Sequence, residues 1–589
     1  MNQEVKTING YNIKDEKAIR TYDTVALMQA DSKLSEGQHV KTRGYYQIND
    51  GGGCEYYITT QSDTDIQEIL SNGLYATLII ENNTINIKQL GAKSQDKENN
   101  KYDIKSYVDK YLNLIENGIQ CKLYIPSGVY YASPINLSGD NRVYIYGDET
   151  FSLWRNGTII TSLNDNQNYI LNIGNESEDT RYFVLKNLVF SSYDYAYSDN
   201  LKTFYQTNRK TITDSVLKFL QSSFGIVDNL FFAGVGGRCI YLTTSWEIYF
   251  NKLNFRNIYA LNSSILCFGT KQYHLSQYPN ITACTFENFM FEQVLGDLVE
   301  FEENCDFFNN VINNFNFEDY EMGNIEYLTD FSTLEPYTKE SIFKIDGGAK
   351  VQCIINNIFI NNLKTKYSVI NNNHYCFDTI LNIPDNEKTT KIDVLINNIQ
   401  IVGLDADGTL IYSKSQVSND CKLVINNITT EYNESYILDT DVENFGSIVL
   451  NNILYSGSNN TRERRIHKLN GKLHSFYEVR RYGGRVTKDN DALSLFGLCN
   501  CLKGITMSNL ICIESLNDLH FVAKVPLGRE VTFTLYAPDR FKTLTVTGTG
   551  EFEDYEMSLD TRTKLGEFQS LQTNDENNDD ILLDYYYFE

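Results

Sequence analysis

A six-letter pattern recurs nine times along the 589 residues, and it constrains the fold more than any other feature. The copies are LKNLVF (185–190), VDNLFF (227–232), FNKLNF (250–255), FENFMF (286–291), INNFNF (312–317), INNIFI (355–360), INNIQI (396–401), INNITT (425–430) and LNNILY (450–455). The first letter is always apolar and the fourth is Leu, Phe or Ile. The third is Asn in eight copies of nine, with Lys252 the exception. Successive third letters lie 42, 23, 36, 26, 43, 41, 29 and 25 residues apart. The short intervals match one coil of a stacked β-structure, and the long ones leave room for a loop on top of it.

The phase of the pattern adds a bend. Strand alternation puts letters four and six on one face, while letter one falls out of phase. Two short strands therefore meet beside the Asn. Asn tolerates the left-handed backbone of a sharp bend, and its amide can bond the same amide one coil away. A second strand precedes each motif, in copies such as YILNIG (169–174), SILCFG (264–269), LVEFEE (298–303), SIFKID (341–346) and TILNIP (379–384). Each coil thus carries at least two sheets in fixed order, and the fold class is an all-β stacked solenoid.

Composition agrees. The chain has 42 Tyr and 32 Phe against 7 Pro and 6 Met, a balance that suits strands. A net charge of −25 argues against a nucleic-acid partner. No run of about 18 apolar residues is present, so no membrane span is expected. The opening MNQEVKTING lacks the apolar core of a secretory signal. Twelve Cys follow no regular spacing, and the C-x-C of Cys499 and Cys501 is too short a signal for zinc or redox chemistry. They read as small free hydrophobes in a core, in keeping with synthesis in a reducing cytoplasm.

Further signals flank the repeat. INIKQLGAKSQDKENNKYDIKSYVDKYLNLI (85–115) reads as a strand, a Gly-Ala turn, a polar loop and a helix. Asp103 is placed to cap that helix near 103–117, and Tyr107, Val108, Tyr111, Leu112 and Ile115 form the apolar face that would close the solenoid. Upstream, Asp50 and Gly51 to Gly53 predict a hairpin turn between strands GYYQI and CEYYI. Downstream, 458–490 is a basic neck containing Arg462, Arg464, Arg465, His467, Lys468, Arg480, Arg481 and Arg485. Strands such as HFVAKV (520–525) and EVTFTLYA (530–537) then predict a β-sandwich-like domain over 491–589. The aromatic end, DYYYFE, is expected at a subunit interface or disordered.

The 85–115 segment resembles the opening of the pectate-lyase-like β-helix of bacteriophage tail spikes, and LYIPSGVYYASPINL (123–137) resembles the strand that follows it. The usual Asp-Gly loop is replaced by Ser94, Gln95 and Asp96, followed by Lys97 and Glu98. NGYNIKDEKA (9–18) and residues 30–58 are similar to the attachment region of tail spikes and appendages. The resemblance implies a right-handed parallel β-helix over 84–457 behind an attachment domain over 1–83. It also implies a homotrimer in the virion tail, made in the host cytoplasm and joined through its N-terminal domain to tail or collar proteins. The implied partner is a host surface glycan, a capsular polysaccharide or cell-wall teichoic acid, with no cofactor and no metal.

A glycosidase needs two carboxylates across one sugar bond, and a β-helix supplies them because equivalent positions on adjacent coils lie about 4.8 Å apart. The outward position after each motif runs Ser191, Ala233, Arg256, Glu292, Glu318, Asn361, Val402, Glu431, Ser456. Glu292 and Glu318 are therefore one candidate catalytic pair, with Arg256 beside them. On the preceding strand a column runs Asn172, Lys218, Tyr241, Cys267, Glu300, Lys344, Asn382, and two residues further on Glu302 meets Asp346. Glu302 and Asp346 are the second candidate pair. Arg256, Glu300, Asp319, Tyr320 and Trp246 are candidate substrate contacts, although the aromatics fit a core or interface role as well. Hydrolysis, eliminative cleavage, a binding appendage without activity and a purely structural virion component all remain open at this point.

Overall fold

The computed structural model describes residues 7–8, 11–12, 19–62, 66–138, 142–148, 157–175, 179–198, 203–269, 280–318, 339–361, 376–383, 389–402, 409–413, 422–430, 436–440, 444–455, 467–469, 472–474, 503–508, 518–526, 530–537, 540–547, 552–560, 567–571 and 583–588. The chain divides into two units, one of Met1–Leu217 with Ser223–Ala233, the other of Lys218–Ser222 with Gly234–Glu589. Among the described residues no helix is long and apolar enough to cross a membrane.

The first unit opens on a five-stranded sheet. Its strands, in spatial order, are Arg20–Tyr22, His39–Thr42, Glu55–Thr59, Tyr75–Leu78 and Gln67–Ile69. The expected strand GYYQI is absent, and the antiparallel partner of Glu55–Thr59 is His39–Thr42. The cause is local. The Asp50 carboxylate accepts the backbone N–H groups of Tyr45, Tyr46, Gln47 and Gly52 at 2.7–3.1 Å, which curls the segment into a loop.

Parallel coils follow in the same unit. Thr84–Asn86, Lys122–Ile125, Tyr144–Gly147 and Val184–Ser191 pair in sequence as parallel neighbours. Gly128–Ala132 pairs Thr158–Ser162, and Ile135–Leu137 pairs Leu171–Ile173, also parallel. Three strand columns joined only by parallel pairing are a parallel β-helix. The helix at its start is Lys105–Glu116, and Asp103 accepts the N–H of Lys105. Val108, Tyr111, Leu114 and Ile115 are its buried residues. Leu114 takes the place expected for Leu112, which is half-buried like Tyr107. The 42-residue interval before Asn229 holds a hairpin of Tyr193–Ser198 and Thr203–Arg209. Tyr195 on that hairpin donates its hydroxyl to Ser191 at 2.9 Å, so Ser191, expected to face outward, is fully covered. Ala233 is buried too.

The second unit continues the parallel pattern. Tyr249–Phe268, Thr285–Phe301, Asp306–Glu318, Lys350–Asn361, Lys391–Val402, Lys422–Thr430 and Asn444–Tyr455 stack motif on motif in register. From FNKLNF to INNIFI, letters one, four and six all point inward. In FENFMF they are Phe286, Phe289 and Phe291, each at most 1% exposed. Like stacks on like: Phe250 on Phe286 at 5.0 Å, Phe255 on Phe291 at 4.8 Å, Phe289 on Phe315 at 4.8 Å, all within 10° of parallel. Such stacking adds about 0.5–1.5 kcal/mol per pair beyond the area removed from water.

Three inward letters in a six-letter run require the bend, and the third letter makes it. Asn187, Asn229, Lys252, Asn288, Asn314, Asn357, Asn398 and Asn427 all have φ between 54° and 61°. Asn tolerates this conformation better than other L-residues. Within the second unit the amides form a chain, Asn427→Asn398→Asn357→Asn314→Asn288, each Nδ2 donating to the next Oδ1 at 2.9–3.0 Å. At the Lys252 coil the preceding Asn251 supplies the acceptor for Asn288 at 2.9 Å. A second chain runs alongside it, Asn426→Asn397→Asn356→Asn313.

Antiparallel strands close the chain. Asp518–Pro526 pairs Phe552–Asp560 on one side and Leu583–Phe588 on the other. The aromatic end is therefore a sheet strand, its backbone paired antiparallel with Asp518–Ala523. Glu530–Ala537 and Arg540–Thr547 form a separate hairpin. Of the basic neck, only His467–Leu469 and Lys472–His474 fall among the described residues. Cys499 and Cys501 lie outside them. Cys54, Cys121, Cys239, Cys267, Cys284, Cys305 and Cys353 are free and buried.

Candidate active site

The acidic zone of the second unit is built on two parallel columns. In the first, Arg256, Glu292 and Glu318 stand in register on consecutive coils. Arg256 Nε lies 3.3 Å from Glu292 Oε2, so Glu292 is held in an ion pair within its column. Glu318 follows it by backbone register. Asp319 and Tyr320 lie outside the described residues. Trp246 ends the strand Ile226–Trp246, half-buried and in register with Thr282.

The second column is denser in chemistry. Cys267, Glu300, Lys344 and Asn382 succeed one another in register. Glu300 is 9% exposed and accepts from three groups: Lys344 Nζ at 2.7 Å, Ser264 Oγ at 2.8 Å and Arg238 Nη2 at 3.2 Å. Burial pushes this carboxyl up, but Lys344, Arg238 and the Ser264 hydroxyl together hold it below its ordinary value. Burial alone would lower the Lys344 pKa; Glu300 and Asp346 raise it instead.

Two carboxylates border this network. Asp346 lies 3.5 Å from Lys344, and its N–H bonds the Phe301 carbonyl. Glu302 is the next residue after Phe301, so the two stand on adjacent coils. The Glu302 carboxylate accepts the Tyr241 hydroxyl at 3.2 Å and faces Arg238 Nη1 at 3.7 Å. Both remain open to solvent, at 22% for Asp346 and 30% for Glu302. Burial raises the Asp346 pKa, with Lys344 opposing and Glu300 and Glu302 adding to the rise. A carboxyl with a raised pKa beside a second accessible carboxyl is the kind of pair from which acid–base cleavage is built.

Several members escaped the periodic reading. Lys344 and Tyr241 stood in the column, yet Arg238 lies three residues before Tyr241, next to Gly237 with φ 141°. Ser264 and Asp297 pair across a register shift in the same strands. Asp297 accepts both the N–H and the hydroxyl of Ser341, at 2.7 and 2.6 Å, and burial pushes it up to about 6. Nothing in a strict two-residue alternation marks these positions.

Bacteriophage tailspikes match the chain over nearly its whole length. The gp42 tailspike of Acinetobacter phage vb_AbaP_AS12 is 13% identical, covering 95% of this chain and 96% of its own, with a TM-score of 0.46. ORF18 of Geobacillus virus E2 is 12% identical over 96% of this chain and 90% of its own, at 0.47. The tailspike gp49 of Acinetobacter baumannii bacteriophage Fri1, a capsular polysaccharide depolymerase, is 11% identical over 94% and 96%, at 0.38. No family model matches the sequence, and no curated protein matches it. With TM-scores below 0.5, the site is read from this chain's own residues.

Proposed function

We propose that this chain is a tail spike that binds a bacterial surface glycan and hydrolyses it, with Asp346 as the acid and Glu302 as the nucleophile. The observation that carries the reading is the pair itself: two solvent-accessible carboxylates on adjacent coils, one with a raised pKa, the other braced by Tyr241 and Arg238. Coil spacing of about 4.8 Å suits the close carboxylate pair, about 5–5.5 Å apart, of a retaining glycosidase. Asp346 gives its proton to the glycosidic oxygen as Glu302 forms a bond to the anomeric carbon, and the leaving sugar departs as an alcohol. Water, losing a proton to Asp346, then displaces Glu302 and yields a reducing end.

Hydrolysis is favoured over elimination because the cations that could serve a lyase, Arg238 and Lys344, are both committed to Glu300. Glu292 is less suited to the reaction, since its carboxylate is engaged by Arg256 at 3.3 Å and no second carboxylate is described beside it. The N-terminal unit would join the spike to the tail, and a capsular polysaccharide or teichoic acid is the glycan class. The test is incubation of the full chain with purified capsular polysaccharides and teichoic acids, following new reducing ends and unsaturated sugars separately. Reducing ends without unsaturation support the reading. Unsaturated products, or tight binding with no release, would overturn the hydrolytic assignment.

A further inference from the structure

The proposed nucleophile has a neighbour without a side chain. The N–H groups of Gly269, Glu302 and Asp346 bond the carbonyls of Leu242, Phe268 and Phe301 at 2.8, 2.9 and 2.9 Å. The three residues therefore follow one another on consecutive coils, about 4.8 Å apart. Gly269 lies outside the left-handed region, so nothing in its backbone calls for glycine. Space is what demands it. A Cβ there would stand 2.1 Å from the Tyr241 hydroxyl oxygen, 2.2 Å from Cζ and 2.5 Å from Cε2.

Tyr241 occupies that gap. It sits on the coil before Gly269, 2% exposed and packed with Leu220 and Cys267. Its ring leans across Gly269, and the hydroxyl donates to Glu302 Oε2 at 3.2 Å, on the coil beyond. A side chain at position 269 would block that path. Arg238 Cζ and Lys218 Nζ lie 5.4 and 5.8 Å from the ring centre and hold the ring between them. Arg238 Nη1 also faces the other Glu302 oxygen, Oε1, at 3.7 Å. Each carboxylate oxygen thus has a partner of its own, and Tyr241 reaches Oε2 only because Gly269 lacks a Cβ.

We infer that Gly269 and Tyr241 are positioning residues for Glu302: the glycine opens a slot, and the hydroxyl that passes through it fixes the orientation of the carboxylate. With the hydroxyl on Oε2, Oε1 is the oxygen aimed at the anomeric carbon. What the orientation serves rests on the cleavage reading; the slot itself rests on the geometry alone.

The test reads Glu302 in the full chain without and with a glycan. A water-soluble carbodiimide and glycinamide label accessible carboxyls, and peptide mass spectrometry gives the rate at Glu302, with Glu292 as internal reference. Tyr241→Phe and Gly269→Ala each speed Glu302 labelling at least about threefold, at an unchanged thermal midpoint and Glu292 rate. Tyr241→Phe carries this arm alone if Gly269→Ala does not fold. In a Tyr241→Leu background Gly269→Ala adds nothing, whereas a glycine needed by its own backbone would give the same change in both. On the capsular polysaccharide that yields reducing ends, both single variants lower kcat about tenfold to a hundredfold and hold KM within about twofold. Unchanged labelling in Tyr241→Phe, or an equal effect of Gly269→Ala in the two backgrounds, would overturn the inference. So would native kcat in Tyr241→Phe beside an inactive Glu302→Gln, a result that leaves the cleavage reading standing. Faster labelling in a chain whose Glu302→Gln variant still cleaves removes the cleavage reading and keeps the slot.

Discussion

The same strands of the second unit carry two columns of opposite character. Thr285–Phe301 carries near its start Asn288, one link in a chain of identical amides, and near its end Glu300, whose neighbours in register are a cysteine and a lysine. The amide column repeats one residue because every coil poses the same problem, a left-handed bend with polar groups to satisfy. The charged column repeats nothing: Cys267, Glu300, Lys344 and Asn382 differ at each step. Uniformity marks what holds the solenoid together, and its loss marks where the proposed chemistry is placed.

The largest effect on stability is expected at the heart of the charged column. Glu300→Ala leaves Arg238 and Lys344 partly buried without their shared carboxylate, and should cost about 3–5 kcal/mol in denaturant unfolding. A loss below about 1 kcal/mol would mean that water, not Glu300, balances those cations.

The amide column should break almost as hard. Asn314→Val removes a link bonded both to Asn288 and from Asn357, and puts a β-branched residue at φ 56°. The cost should be about 3 kcal/mol, and Asn314→Gly, which keeps the backbone at ease, about half that. Equal losses in the two variants would show that the bend, not the amide chain, needs nothing from Asn.

These columns were unequally legible. The repeat disclosed the coils, the bend and the amide chain, because nine copies of one solution outweigh local noise. It also brought Glu300 to Lys344 and Glu302 to Asp346. Arg238, Ser264 and Asp297 were hidden, because Gly237 and a register shift carry them out of alternation. The Asp50 loop was misread as a hairpin for a similar reason. A carboxylate that collects four backbone N–H groups overrides strand propensity, and no periodicity announces it.

A smaller effect should appear in pH dependence. Asp297 in the folded chain is pushed up to about 6 by burial, above its ordinary value of 3.8. Its contribution to stability is thus fully present below about pH 4 and lost as pH rises through about 6. Asp297→Asn, neutral throughout, should flatten that fall and gain roughly 2 kcal/mol on the native protein above pH 6. Parallel pH–stability curves for the two proteins would contradict the buried environment. Smallest of all, Arg256→Ala breaks a partly exposed pair and should cost less than about 1 kcal/mol.

The most direct measurement is reducing-end release from the glycan the protein binds, compared among native protein, Asp346→Asn, Glu302→Gln and Glu292→Gln. Loss of an acid–base partner should cut the rate about 10²–10⁴-fold in the first two variants, with glycan binding retained. Glu292→Gln should keep most of its activity. Full release by Asp346→Asn, or collapse in Glu292→Gln alone, would contradict the assignment and move the chemistry to the Arg256–Glu292 column.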